Sequence, residues 1–205
     1  IEHAKGDILI RLDAHSVPAQ DYIEKCVSTL ERTGAANAGG IWEIHPSGDR
    51  WIARSIAIAA AHPLGAGGAS YRTGGEASET DTVPFGAFPR KWIEKIGPFE
   101  EQLETNEDYE YNVRLRQAGG VVYFDPRIRS VYFARPDLIS LGRQYARYGF
   151  WKARMVLRYP TTLRWRQVII PLFVCAIIFL ALIGLFARPA WWLLAGSLGI
   201  NHAVN

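Results

Sequence analysis

Residues 168–187, VIIPLFVCAIIFLALIGLFA, run for twenty positions without a charge. At about 1.5 Å of rise per residue, such a run reaches roughly the 30 Å of a bilayer's hydrocarbon core. A buried helix of a soluble protein is the alternative, but few such helices carry so long an uncharged run, and Pro171 is tolerated inside a span. The run therefore reads as a membrane span over 168–187. PAWWLLAGSLGI, after Arg188, reads as the start of a return span over 190–205, with Trp191 and Trp192 at the interface.

The residues leading into this run agree with it. From Arg143 to Arg166 there are seven basic residues and no acidic one, interleaved with Tyr145, Tyr148, Phe150, Trp151, Tyr159 and Trp165. Basic residues among aromatics suit either RNA or an anionic membrane surface. The adjoining apolar run favours the membrane, so 141–166 is read as an interfacial amphipathic segment and no nucleic-acid partner is expected. The positive-inside bias places this collar, and the residues before it, on the cytoplasmic face.

At 205 residues and 49% apolar composition, the chain can bury one core with an appendage. The net charge of +3 gives no independent sign of a polyanionic partner. Two cysteines, Cys26 and Cys175, give neither a disulfide framework nor metal-ligand spacing, and fit a reducing compartment. The opening IEHAKGDILIRLDAHS lacks an initiator Met or a leader, and the last residues stop inside an apolar stretch. Both ends suggest a fragment of a longer protein.

Residues 1–140 alternate strand and helix patterns. A buried strand at 7–12 is followed by a helix that begins near Pro18 and closes at Gly34. A second strand, AGGIWEI, leads through a turn at HPSGD to the helix RWIARSIAIAAAH, which stops before Pro63. The Gly, Ser and Thr-rich stretch from Pro63 to Thr82 reads as a long loop and candidate lid. It lacks the spacing of a phosphate-binding glycine motif. A short strand, a helix over 90–96 stopped by Gly97 and Pro98, a helix ending at Gly119 and the strand VVYFD complete an α/β pattern.

Two places could carry chemistry. In RLDAHS, Asp13 and His15 sit where a strand gives way to a loop, the usual place for ligand-binding groups in an α/β sheet. One residue apart, they could share a divalent cation, or they could cap a turn with Ser16. In LETNEDYEYNVRLRQAGG, Thr105 as N-cap with Asp108 three positions on resembles a capping box. A cap uses one or two carboxylates, but Glu104, Glu107, Asp108 and Glu110 are four. Glu107 and Glu110 can share a helix face, while Asp108 points elsewhere and could face a cleft. Crowded like charges raise a carboxylate pKa, which suits a proton acceptor. Cap and base stand as equal readings of these residues.

The order LDAH, then DTVPFGAFPRKWIEKIGPFEE, then NEDYEYNVRLRQAGGVVYFDP, then RQYARYGFWKARM and an apolar run resembles the later part of a family 2 glycosyltransferase of GT-A fold. The likeness is to the succinoglycan-type membrane enzymes of bacterial exopolysaccharide assembly, and it favours the base. It implies a Rossmann-like mixed sheet, the later portion of a catalytic domain over 1–140, and transmembrane helices in 167–205. Asp13 and His15 match the Asp-x-Asp metal motif, with His in place of the second Asp. The resemblance thus implies a divalent cation, Mg²⁺ or Mn²⁺. Asp108, in Glu107-Asp108, matches the general base. Phe85, Gly86 and Arg90 match the segment lining the acceptor side. Gln144, Arg147 and Trp151 fall where processive relatives carry Gln-x-x-Arg-Trp. The spacing here is Gln-x-x-Arg-x-x-x-Trp, so processivity does not follow, and VYFAR lacks the histidine many relatives carry there.

The implied activity is a single inverting displacement from a nucleotide-sugar donor to a lipid-linked or polysaccharide acceptor, at the cell (inner) membrane with the catalytic domain cytoplasmic. The family's first nucleotide-binding strands lie upstream of Asp13, so the fragment by itself is expected to be inactive. The rival from another class is a non-catalytic membrane-bound relative that scaffolds polymer assembly or binds glycan.

Overall fold

The structure is a computed structural model that describes residues 3–13, 16–63, 68–103, 105–160 and 165–184. The chain divides into two compact units, residues 1–162 and 163–205. In the first unit the order is β1 (Ile8–Ile10), β2 (Ser16–Pro18), α1 (Tyr22–Thr33), β3 (Asn37–Pro46), α2 (Trp51–Ala61), α3 (Ser70–Thr73), β4 (Ser78–Glu79), β5 (Ala87–Pro89), α4 (Arg90–Ile96), α5 (Glu107–Gln117), β6 (Val122–Ala134) and α6 (Leu138–Arg158). In the second unit α7 covers Trp165–Gly184.

The strands form one mixed sheet in the order β1-β5-β3-β6-β2, with β4 paired to β6. Among the described strands only β3 and β6 run parallel, and the other pairs are antiparallel. Adjacent residues of β5 show that both faces are covered, because successive strand side chains point to opposite faces. Ala87 packs with Tyr22, Cys26 and Leu30 of α1, whereas Phe88 packs with Ile93 of α4 and with Tyr111 and Leu115 of α5. The α1 stripe Tyr22, Cys26, Thr29 and Leu30 follows helical spacing, and the helix stops where Gly34 turns left-handed, at φ 66°.

The central pair holds the main irregularity. Gly39 stands opposite Phe124 and Ile41 opposite Arg129, so Gly40 alone faces residues 125–128 of β6. A Cβ on Gly40 would lie 1.7 Å from the Ile128 carbonyl oxygen, so this position needs glycine. The bulged segment is pinned by Asp125. Its carboxylate accepts from Thr29 Oγ1 at 2.9 Å, from Arg32 at 2.9 Å and from the Arg127 side chain at 2.7 Å, with the Arg127 amide at 3.0 Å.

Burial alone would raise the Asp125 pKa, but the hydrogen bonds from Arg127 and Thr29 and the Arg127 charge win, holding it far below the usual carboxylate range. Because the folded value lies below the unfolded one, this stabilisation is complete above the unfolded pKa of about 4 and is lost as pH falls further. Asp125→Asn is expected to cost about 2–4 kcal/mol at pH 7, since it removes a buried charge that satisfies several donors. Urea unfolding of both proteins from pH 7 down to pH 3 checks this, and the gap between their midpoints should narrow below pH 4.

Several sequence expectations change. Residues 63–82 are not wholly irregular, since α3 and β4 lie within them. β2 forms where only a loop was expected, by pairing Ser16 to Tyr132 and Pro18 to Ser130. The strand at VVYFD continues past Pro126 to Ala134 because the bulge absorbs the proline. The capping box at Thr105 is not formed. Asn106, left-handed at φ 65°, takes the N-cap position without a side-chain cap bond, and the buried Thr105 hydroxyl has no partner.

Among the described residues no helix is long and apolar enough to cross a membrane. The uncharged run of α7, from Val168 to Gly184, rises about 25 Å in the described part. Residues 185–187 and the return span expected at 190–205 lie outside the described residues.

Candidate active site

β1 ends at Ile10, and the Arg11 amide donates to the Gly86 carbonyl oxygen at 3.1 Å, latching this end of the strand to the turn before β5. That turn is unusual. Phe85 has φ 60° and Gly86 φ 29°, and a Cβ on Gly86 would meet Asn37 Oδ1 at 2.5 Å. Phe85 and Asn106 are the non-glycine residues with left-handed φ among those described, and they flank β1's end and α5's start. Such strain tends to persist where function over-determines the backbone.

From this end of β1 the Arg11 guanidinium donates to Asp13 Oδ1 at 3.0 Å and to Glu107 Oε1 at 2.6 Å. One arginine thus ties the loop after β1 to the first turn of α5. The three side chains are 25–31% exposed, so the cluster is open to a ligand. Burial works against the Arg11 charge, but Glu107, Asp108 and Asp13 outweigh it and its pKa is raised. The Asp13 carbonyl oxygen accepts from the Ser16 hydroxyl at 2.7 Å and from the Ser16 amide at 3.0 Å. The carboxylate of Asp13 is left to face Arg11.

Asp108 sits beside this bridge, its Oδ1 accepting from the Tyr109 amide at 2.7 Å. Burial first, then the charges of Glu107 and Asp13, push its pKa up to about 6, against the opposing pull of Arg11 and the Tyr109 amide. A carboxylate with that pKa is ionised at neutral pH yet more basic than an ordinary aspartate. Glu110 is spent elsewhere. It is buried, holds Arg114 at 2.8 Å and accepts from the Tyr159 hydroxyl at 2.9 Å. Glu107 and Glu110 therefore serve different partners, and Glu104 lies outside the described residues.

The structure gathers Asp13, Glu107, Asp108 and the Phe85-Gly86 turn around Arg11. Arg90 is engaged differently, its guanidinium donating to the carbonyl oxygens of Ala4 at 2.6 Å and Gly6 at 2.7 Å. Gln144 is buried and donates to the hydroxyls of Tyr132 at 3.1 Å and Tyr148 at 2.9 Å. Tyr132 in turn stacks on Trp42 at 4.3 Å. Arg147 is exposed. Trp151 lines a cavity of about 160 Å³ together with Glu110, Arg154 and Tyr159. Arg11 is the residue that the sequence reading passed over. Its signal was available, because an arginine two positions before Asp13 on an extended segment shares a face with it.

His15 lies outside the described residues. Among those described, no three His, Cys, Asp or Glu side chains form a metal cluster. Asp13 offers one hard carboxylate. That fits an ion such as Mg²⁺, which takes one or two protein carboxylates and completes its shell with phosphate and water oxygens; it does not fit a closed protein cage.

Residues 1–97 match the family model described as Glycosyl transferase family 2. The chain is 30% identical over 182 residues to the succinoglycan biosynthesis protein ExoA of Rhizobium meliloti (strain 1021), covering 89% of this chain and 54% of that protein. It is 28% identical over 171 residues to a dolichyl N-acetyl-alpha-D-glucosaminyl phosphate 3-beta-D-2,3-diacetamido-2,3-dideoxy-beta-D-glucuronosyltransferase of Methanococcus voltae, covering 80% and 52%. The chain thus spans about half the length of the curated relatives it matches. A crystal structure of GalNAc-T7 with UDP, GalNAc and Mn²⁺ overlays 65% of this chain and 29% of its own at TM-score 0.45 and 16% identity, too slight a likeness to bear on the site. With the family match covering β1 through α4 and both relatives extending the likeness across most of the chain, the protein is similar to members of glycosyl transferase family 2, among them a succinoglycan biosynthesis protein.

Proposed function

We propose that the protein is an inverting glycosyltransferase, moving a sugar from a nucleotide-sugar donor to a lipid-linked saccharide in exopolysaccharide or cell-envelope polysaccharide synthesis. The observation that carries this reading is Asp108, a carboxylate raised to about 6 at the start of α5 beside the Arg11 bridge. In the reaction, Asp108 accepts the proton of the acceptor hydroxyl as that oxygen attacks the anomeric carbon and the nucleoside diphosphate departs from the opposite face. Arg11 keeps Asp13 and Glu107 from repelling the reactants and sets the basicity of Asp108. Asp13, with His15, would hold a divalent cation, which when bound supplies charge neutralisation for the diphosphate.

A lipid-linked acceptor is supported by the name of the Methanococcus voltae relative, which specifies a dolichyl-linked sugar. It is supported also by α6 and α7. On α6, Leu138, Ile139, Phe150 and Leu157 are exposed among basic residues, and α7 exposes Leu172, Phe173, Ile178, Phe179 and Leu182. Apolar surface of that extent suits contact with a bilayer. This surface supports a catalytic domain over 1–140, an interfacial segment over 141–166 and a membrane region over 167–205, at the cytoplasmic face of the cell membrane.

Membranes from cells expressing the full-length protein should transfer labelled sugar from a nucleotide-sugar panel to prenyl-linked saccharides, and chelation of divalent cations should stop the reaction. The rate should rise with pH through about 6 as Asp108 ionises. Arg11→Gln removes the positive charge that lowers the Asp108 pKa, and should move this limb upward by about one pH unit. A limb unmoved by Arg11→Gln would show that another group is the base.

A further inference from the structure

Among the described residues, no acid pairs with Arg72 on α3. Arg11, Arg32, Arg114, Arg127 and Arg158 each have a carboxylate partner, whereas Arg72 has no ion pair among the described residues. Its guanidinium lies over the ring of Trp42 at 5.6 Å and that of Tyr71 at 5.7 Å. Trp42 is itself enclosed, stacked on Tyr132, edge-on to Tyr71 at 5.1 Å and tilted against Phe85 at 5.5 Å. Two buried donors in this group lack a partner, Arg72 Nε and Trp42 Nε1. Neither can accept a hydrogen bond, so what they lack is an acceptor.

The side chains around Arg72 point the same way. Its nearest ionisable neighbours are Tyr71, Tyr145, Tyr132 and Tyr148, neutral phenols at pH 7 that leave the guanidinium charge uncompensated. Tyr148 accepts from Gln144 and retains its own O–H as a donor. The cluster thus presents a fixed positive charge, an indole N–H and phenol O–H groups, all suited to an oxyanion. Tyr71, which packs edge-on to Trp42, also feels the charge of Asp108, so the cluster and the proposed base lie within electrostatic reach of one another.

We propose that Arg72, with Trp42 and Tyr148, forms a receptor for a phosphate oxyanion held close to Asp108. A tetrahedral phosphate offers several acceptor oxygens and no obligatory donor, so it satisfies Arg72 Nε and Trp42 Nε1 together. In the transferase reading, on which the ligand's origin rests, that phosphate belongs either to the donor diphosphate or to the prenyl-linked acceptor.

Binding to the full chain can be measured by calorimetry with inorganic pyrophosphate and with farnesyl phosphate, in the wild type and in Arg72→Gln. A loss of at least tenfold in affinity for one or both probes is expected. Loss for pyrophosphate alone assigns the donor diphosphate, and loss for farnesyl phosphate alone assigns the acceptor. Affinities for both probes unchanged from wild type in Arg72→Gln would overturn the proposal, as would an Arg72-dependent site that takes glucuronate and neither phosphate. Should Arg72→Gln not fold, Tyr148→Phe decides. It removes one donor and keeps the ring, and a loss of about threefold or more supports the receptor, whereas unchanged binding sinks it. Arg72-dependent phosphate binding, with a full-length protein that never turns over a sugar nucleotide, would refute the transferase reading and leave the receptor standing.

Discussion

Asp108→Asn is expected to lower the rate of sugar transfer by about 10² to 10⁴-fold, the usual contribution of a positioned general base, while leaving the protein folded and more resistant to heat at neutral pH. The two effects share one cause. In the folded chain Asp108 is raised from 3.8 to about 6, chiefly by burial and by Glu107. Between those values the native state holds more protons than the unfolded one, so stability falls as pH rises through this window and stays reduced above it. Asparagine carries no charge to bury, so the variant avoids a penalty of at most about 3 kcal/mol. The checks are a transfer assay and a melting curve at pH 7.5 and at pH 4.5. At the lower pH the difference in melting temperature should shrink. A non-catalytic scaffold predicts unchanged polymer assembly, and a variant that retains a tenth or more of its transfer rate would exclude Asp108 as the base.

Gly40→Ala is expected to be the most damaging small substitution in the sheet, costing more than about 4 kcal/mol or preventing soluble expression. The added Cβ would stand 1.7 Å from a backbone oxygen and 2.5 Å from the Ile128 Cβ. Backbone on the facing strand cannot swing aside as a flexible side chain can. Gly149 offers the control. It lies within α6 with nothing within 4 Å of its would-be Cβ, so alanine there should be neutral or should stabilise by about 0.5–1 kcal/mol. Urea midpoints of the two variants provide the comparison, and a Gly40→Ala protein within 1 kcal/mol of wild type would show that the bulge yields easily.

Helices with clear apolar spacing and a glycine stop were legible in the sequence, as α1 with Gly34 and α4 over 90–96 illustrate. Short strands were less so, because β2 owes its existence to pairing with β6, a partner over a hundred residues away. The cap of α5 was misplaced by one residue, since Thr105 and Asn106 are both good capping types and only the backbone decides between them. At the site, the acids were visible as a cluster, but the counter-charge was not. Arg11 and Glu107 meet across 96 positions of sequence, and no local pattern shows that contact. Trp42 and Arg72 were missed for a similar reason. An aromatic on a strand reads as core, and an arginine in a glycine-rich stretch reads as solvated.

The bulge opposite Gly40 also sets a rule of parity. Between their pairings at Gly39 with Phe124 and at Ile41 with Arg129, β3 advances two residues and β6 five. The odd difference changes the phase of β6, so that Phe124 and Ile128, both even-numbered, belong to cores on opposite faces of the sheet. Losing a single residue from 125–128 would turn every later side chain of the strand over, taking Tyr132 away from Trp42, whereas losing two would keep the phase. Natural variation in length at this point should therefore come in pairs.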